Sequence, residues 1–143
     1  MTPPTILTII LNYRTPELTL DAARAALREM RNLGGEVLIV DNASGDGSYD
    51  RLLKAVTERG WGADDLVRVV QSPVNGGFGA GNNFGMRQGL ASGAQPAFFY
   101  LLNSDAAPDP GAVGALLKVM QAQPRAGLAG SYIKGTDGAP HCT

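Results

Sequence analysis

The chain has a single cysteine in 143 residues, Cys142, which excludes an internal disulfide framework and a cysteine zinc cluster and suits a reducing cytosol. No apolar run approaches the length of a membrane-spanning helix, about 18 residues, so no transmembrane segment is expected. The start, MTPPTILTIILNYR, lacks the basic opening and small-residue cleavage site of a secretory signal, and a soluble, cytoplasmic protein is expected. Neither sign of charge dominates. The 12 basic and 13 acidic residues give a net charge of -1 without blocks, which offers no footing for nucleic acid or an anionic membrane. Low-complexity tracts, internal repeats and interdomain linkers are missing, so a single domain over residues 1–143 is expected, long enough for a sizeable core. Two phosphate-binding signatures are absent as well. The turn NYRTPE after the first apolar run has no glycine, which removes the phosphate site of a nicotinamide-binding fold, and no Walker loop occurs.

What is present is an alternation of short branched apolar runs with longer segments of helical period, the pattern of βαβ units around a parallel sheet. Strands are expected at 5–11, 36–41, 66–71 and from Ala97 through AFFYLLN, with one more over AGLAGSYI, residues 126–133. The first helix is expected to start at an N-cap Thr15 with Pro16 in its first turn, to bury Leu20, Ala23, Leu27 and Met30, and to stop at Gly34-Gly35. A second helix over 48–59 is expected to turn Leu52, Leu53 and Val56 inward. A third covers roughly 80–91, and a fourth, capped by Asp109-Pro110, carries Leu116, Leu117 and Met120. The 19 glycines fall in clusters between these runs and read as loop chemistry. The fold class is α/β, with a mostly parallel, Rossmann-like sheet covered by helices on both faces.

Such sheets bind ligands beyond the carboxyl ends of their strands. Four successive strand ends deliver small polar or acidic groups there: Asn12-Tyr13, Asp41-Asn42, Asn75-Gly76-Gly77 and Asn103-Ser104-Asp105. Asp41 can accept from ribose hydroxyls or a base N–H, whereas Ser44, Asp46 and Ser48 read as an Asx-turn leading to a helix cap. NGGFGAGNN, residues 75–83, sets four glycines ahead of a helix, where bare amides can approach a diphosphate or serve tight packing against the sheet. Phe78 reads as a packing residue, and Asn83 as a ligand or backbone-capping group. Asp105 closes FFYLLN, expected to be the most buried strand, where a carboxylate is costly unless neutralised or hydrated. With Asp109 as the better helix cap, Asp105 is left for Mg²⁺ or Mn²⁺ bridging phosphate oxygens.

Taken together, TIILNYRTPELTLDAARAAL, VLIVDNASGDGS, NGGFGAGNNFGM and FFYLLNSDAAPDPGAVGAL resemble a family 2 glycosyltransferase of the GT-A type over nearly the whole chain. They are most similar to the rhamnosyltransferase-like branch, in which Asn-x-Asp often replaces Asp-x-Asp. The resemblance implies that Asp41 contacts the nucleobase or ribose, with Asn42 beside it in the nucleotide site. It implies further that Asp105 holds the divalent cation on the diphosphate, and that Asn103 binds ribose or a metal-bound water. Asn75, Gly76, Gly77 and Asn83 would line the nucleotide pocket, and Asn12 and Tyr13 would flank the base.

The implied reaction is transfer of a sugar from a UDP- or dTDP-linked donor to a hydroxyl of a glycan or lipid-linked acceptor, with inversion at the anomeric carbon. The full-length enzyme would work in the cytoplasm or at the inner face of the membrane. The family's catalytic base lies in a region beyond KGTDGAPHCT, so the chain reads as the nucleotide-binding half of a longer enzyme, truncated at the C-terminus, and no catalytic base is assigned. Asp137 reads as a turn residue and His141 as solvated tail. A nucleotidyltransferase and a nucleotide-sugar-binding module without turnover stand as alternatives, and exposed apolar surface makes self-association an expectation.

Overall fold

Apolar runs bounded by glycine and asparagine fold here as parallel strands linked by helices. In a computed structural model, which describes residues 6–93 and 95–141, β1 spans Ile6–Asn12, α1 Pro16–Leu33, β2 Glu36–Asp41 and α2 Ser48–Glu58. Then come β3 Val67–Gln71, α3 Gly77–Ala91, β4 Phe98–Asn103 and α4 Ala112–Ala122. Thr5, the expected start of β1, and Cys142 lie outside the described residues. The four strands form one parallel sheet in the order β3-β2-β1-β4. The chain therefore steps outward from β1 in one direction and then in the other, and the switch between β1 and β4 opens a crevice at the carboxyl edge.

One face of the sheet packs Ile6, Ile10, Val37 and Ile39 against Leu20, Ala23, Leu27 and Met30 of α1 and Leu52 and Val56 of α2. The other face, Leu7, Ile9, Leu38 and Val40, lies under α3 with Phe84 and Met86. Burial on both faces explains why β1 and β2 read as unbroken apolar runs instead of alternating with polar residues. Pro16 opens α1 and Gly34, in the left-handed region at φ 70°, ends it as expected. Thr15 occupies the N-cap position, but its side chain makes no capping bond. In α2, Leu53 is exposed, against expectation. Residues 52 and 56 share a helix face, and 53 is rotated away from it.

The third helix departs most from the sequence reading. It begins at Gly77, three residues before the expected Ala80, so most of the glycine cluster is helix and not loop. Gly81, Gly85 and Gly89, spaced by four, lie on one buried face. A Cβ on Gly85 would sit 2.9 Å from Ile9 Cγ2 and Val40 Cγ2, and one on Gly89 would strike Leu7 Cδ2. The glycines thus let α3 lie directly on β1 and β2.

Expected to be the most buried strand, β4 is instead an edge. Its register pairs Leu7 with Phe99 and Ile9 with Leu101, so these residues continue the face that α3 covers. Because α3 sits over β1 and β2, Phe99 and Leu101 remain 38% and 45% exposed. The run 126–133 forms no strand even though the outer edge of β4 is open: Gly127 and Gly130 weaken its strand preference, and Leu128 is 94% exposed. Asp109 does not cap α4 through its side chain either, but pairs with Lys134 Nζ at 2.7 Å. Gly111 is the N-cap of α4, and the amides at this helix start are taken by Glu29 of α1: Gly111 N donates to Oε1 at 3.1 Å and Val113 N to Oε2 at 3.3 Å.

An uncharged edge strand with an open apolar strip favours association between chains. The chain is predicted to self-associate, and Leu101→Lys, which charges the strip outside the core, is expected to raise the monomer fraction in sedimentation velocity. Identical association of the two proteins contradicts this role for β4.

Candidate functional site

The site begins with a buried charge. Asn12 closes β1 and Asp41 closes β2, register partners that are both fully buried. A carboxylate in that position requires donors on all sides. Asp41 Oδ1 accepts from Asn12 Nδ2 at 2.9 Å and Ser44 Oγ at 2.5 Å. Its Oδ2 accepts from Ser44 N at 3.2 Å and from Gln71 Nε2, at the end of β3, at 3.3 Å. Asn12 Oδ1 in turn accepts from Thr19 Oγ1 of α1 at 2.7 Å. Three strand ends and the first helix are therefore tied through one carboxylate.

Ser44 carries this network into the loops. Arg14 N donates to Ser44 Oγ and Arg14 Nε to Ser44 O, each at 3.0 Å, which joins the turn after β1 to the turn after β2. Arg14 and Ala43 hold φ values of 58° and 55°, left-handed positions that are costly for residues with a Cβ and are kept by this cross-link. The Arg14 guanidinium lies 5.1 Å from the Tyr13 ring centre, so an exposed aromatic and a cation stand together at the crevice mouth. Next along the edge, Asn42 Nδ2 donates to Asn75 Oδ1 at 3.0 Å, and Gly77 N donates to the same oxygen at 2.9 Å. This fastens the start of α3 to the turn after β2. Asp46 accepts from Ser48 Oγ at 2.6 Å and Ser48 N at 3.0 Å, bonds that lower its pKa; they make the expected Asx-turn, while the N-cap position of α2 is held by Gly47 and not by Asp46.

Of the residues expected to form the site, Asn12, Asp41 and Asn42 are buried beneath it. Tyr13, Asn75, Gly76, Gly77, Asn83, Asn103 and Asp105 are exposed. Phe78, expected to pack, is 57% exposed on the first turn of α3. Ser44, Thr19, Gln71 and Arg14 were not anticipated. Only Ser44 carried a sequence signal, as part of the Asx-turn that follows Asp41.

Asp105 stands in the turn after β4, where Ala106 N donates to Asn103 O at 3.1 Å. It is exposed, which removes the burial penalty expected of it, and it makes no ion pair among the described residues. Nor do the described residues contain a group of three or more His, Cys, Asp or Glu able to hold a metal ion. This donor set does not fit a cation caged by protein alone. It does fit Mg²⁺ or Mn²⁺ shared between one carboxylate, ligand phosphate oxygens and water. A separate apolar cleft of about 110 Å³, lined by Ile6, Phe98, Val113 and Leu117 among others, lies between β4 and α4 near the amino ends of the strands.

Residues 5–142 match the family model described as glycosyl transferase family 2. Among solved structures, the chain is similar to a mannosyltransferase from Pyrobaculum calidifontis in complex with GDP-Man and Mn²⁺, with a TM-score of 0.70 and 18% identity. The match covers 94% of this chain and 37% of that one, and at this identity the two share the mostly parallel, GT-A-type α/β fold. No curated protein matches the chain. No described helix is long and apolar enough to cross a membrane.

Removing the buried acceptor strands four donors. Asp41→Ala is predicted to lower unfolding free energy by about 3 kcal/mol, the usual scale for hydrogen bonds to a charged group together with donors left unpaired. Denaturant titration measures it, and a loss below about 1 kcal/mol means that the network does not hold the edge together.

Proposed function

We propose, given that this chain belongs to glycosyl transferase family 2, that its carboxyl edge binds a nucleotide diphosphate sugar whose sugar passes to an acceptor hydroxyl. The observation that carries this reading is the convergence of the ends of β1, β2 and β4 and the start of α3 on one crevice, with a buried polar foundation and an exposed polar rim. In the reaction the acceptor oxygen, giving up its proton to a general base, bonds to the anomeric carbon as the bond to the diphosphate breaks and the nucleotide diphosphate leaves. Inversion at that carbon is part of the proposal. So are a UDP- or dTDP-linked donor, a glycan or lipid-linked acceptor, and membership of the rhamnosyltransferase-like branch, which the Asn103-Ser104-Asp105 triplet supports.

Each rim residue has a role set by its surroundings. Tyr13, braced by Arg14, presents an aromatic face to the base. With Gly77 N held by Asn75 Oδ1, the amide of Gly76 and those that follow Gly77 in the first turn, at the positive end of α3, face the diphosphate. Asn103 takes a ribose hydroxyl or a metal-bound water, and Asn83 borders the pocket. Asp41, saturated by its own chain, acts on the nucleoside through the turns it holds. Asp105 would hold Mg²⁺ or Mn²⁺, which supplies electrostatic stabilisation to the departing diphosphate. The complex of the similar mannosyltransferase with Mn²⁺ supports that choice of cation.

A second reading, donor binding without turnover, is favoured by one observation. Of the described acids in the turns that close the strands, Asp41 and Asp46 are engaged within the chain and Asp105 is given to the cation, so none of these three is left to take the acceptor proton. Asp137 accepts from Ala139 N at 2.9 Å in its own turn, and Asp109 is paired with Lys134.

Calorimetry with UDP-, dTDP- and GDP-linked sugars, with and without Mn²⁺, tests the site. Mn²⁺ is expected to tighten binding about tenfold, equivalent to about 1.4 kcal/mol, and Asp105→Ala to abolish that gain while metal-free binding persists. A gain that survives in Asp105→Ala removes Asp105 from the site. Product formation with acceptor candidates, followed by mass spectrometry, separates turnover from binding alone.

A further inference from the structure

The loop that carries Asp105 is held from outside the site by two adjacent residues of α1. Glu29 is 4% exposed, and both its oxygens are engaged by the start of α4, Gly111 N on Oε1 and Val113 N on Oε2. Its neighbour Arg28 donates from Nη2 to Pro108 O at 2.8 Å, and Arg28 Nε lies 3.9 Å from Glu29 Oε1. The carboxylate also stands close enough to β4 to raise, after burial, the pKa of Tyr100. On its other side the loop leaves the sheet at Asn103, the register partner of Leu11. Only Ala106 and Ala107 separate Asp105 from Pro108. Asp105 is therefore the exposed middle of a short span whose ends are fixed by β1 and by α1.

From this clamp we infer that Arg28 and Glu29 are positioning residues for the Asp105 loop, setting where that carboxylate meets a cation and the diphosphate it carries. The inference rests on the proposed donor site. A buried carboxylate spanning two helix-start amides is a stiff link, because each amide left without it is an unpaired buried donor or one turned to solvent. The Arg28 guanidinium fixes the one loop carbonyl it reaches. Neither residue faces the nucleotide, so their effect appears only in what Asp105 does.

The test compares the parent chain with Glu29→Gln, Glu29→Ala, Arg28→Ala and Asp105→Ala, and with Arg24→Gly as a control that weakens α1 at an exposed position. Two readouts are taken: amide hydrogen exchange across residues 103–113, and the ratio of UDP affinity with Mn²⁺ to UDP affinity without it. Glu29→Ala is expected to speed exchange at Gly111 and Val113 and to cut the Mn²⁺ ratio about tenfold, the usual cost of removing a residue that orients a metal ligand. Metal-free UDP affinity should stay unchanged. Glu29→Gln, which keeps one acceptor, should fall between parent and alanine, Arg28→Ala should lower the ratio in a chain that keeps its fold, and Arg24→Gly should leave the ratio intact. If the Glu29 and Arg28 variants keep the parent's ratio while Asp105→Ala loses it, the positioning role is wrong and the donor site stands. If Asp105→Ala keeps the ratio, or the parent shows no gain with Mn²⁺, the donor-site reading fails and takes the inference with it.

Discussion

A carboxylate with no exposure to water, placed at the end of a central strand, constrains everything around it. Asp41 is stable there only if its neighbours bring donors, and they come from β1, from the turn after β2 and from β3. Asn12 can donate to it only with its own oxygen satisfied, which requires Thr19 and hence a fixed entry of α1. Ser44 serves Asp41 and Arg14 at once, so the loops after β1 and β2 cannot move separately. The exposed rim of the crevice inherits its geometry from this buried foundation. That is why the proposed nucleotide contacts lie on the rim, with organisation left to Asp41.

Two further devices place the remaining parts of the edge. The glycine face of α3 brings its first turn down beside Asn42 and Asn75, and a methyl group at Gly85 would already crowd Ile9 and Val40. On the far side, α1 reaches across to the start of α4 through Glu29 and to the preceding loop through Arg28. One helix therefore supports both sides of the switch point, through Thr19 near its start and Arg28 and Glu29 near its end. A crevice supported in this way keeps its donors in place before a ligand arrives, which limits the ordering cost of binding.

Where local rules decide, the fold was legible from the residues alone. The range 36–41 of β2, Pro16 at the start of α1 and Gly34 at its end follow from period, proline and glycine chemistry. That polar groups gather at the carboxyl ends of the strands was legible for the same reason, because the strands of a parallel sheet all end on one edge. Features fixed by distant partners were not. Glycines four apart look like a loop until a sheet is laid beneath them. FFYLLN looks buried until its place at the edge is known, and AGLAGSYI looks like a strand although it does not pair with the open edge of β4. Asp109 is the nearer acid to α4, yet Glu29, more than 80 residues away in sequence at |i−j| = 82, takes its amides. No local pattern could have linked Thr19 or Gln71 to Asp41.

Mapping a donor onto the ¹⁵N-labelled chain by NMR is the most direct examination of the crevice as the place where a nucleotide sugar binds. Titration with UDP- and GDP-linked sugars in the presence of Mg²⁺ should shift the amides of Tyr13, Arg14, Asn42 to Ser44, Gly76 to Gly79 and Asp105 together, with one saturation curve. Shifts confined to the apolar cleft between β4 and α4, or to the uncovered strip of Phe99 and Leu101, with the strand-end amides unmoved, would contradict it.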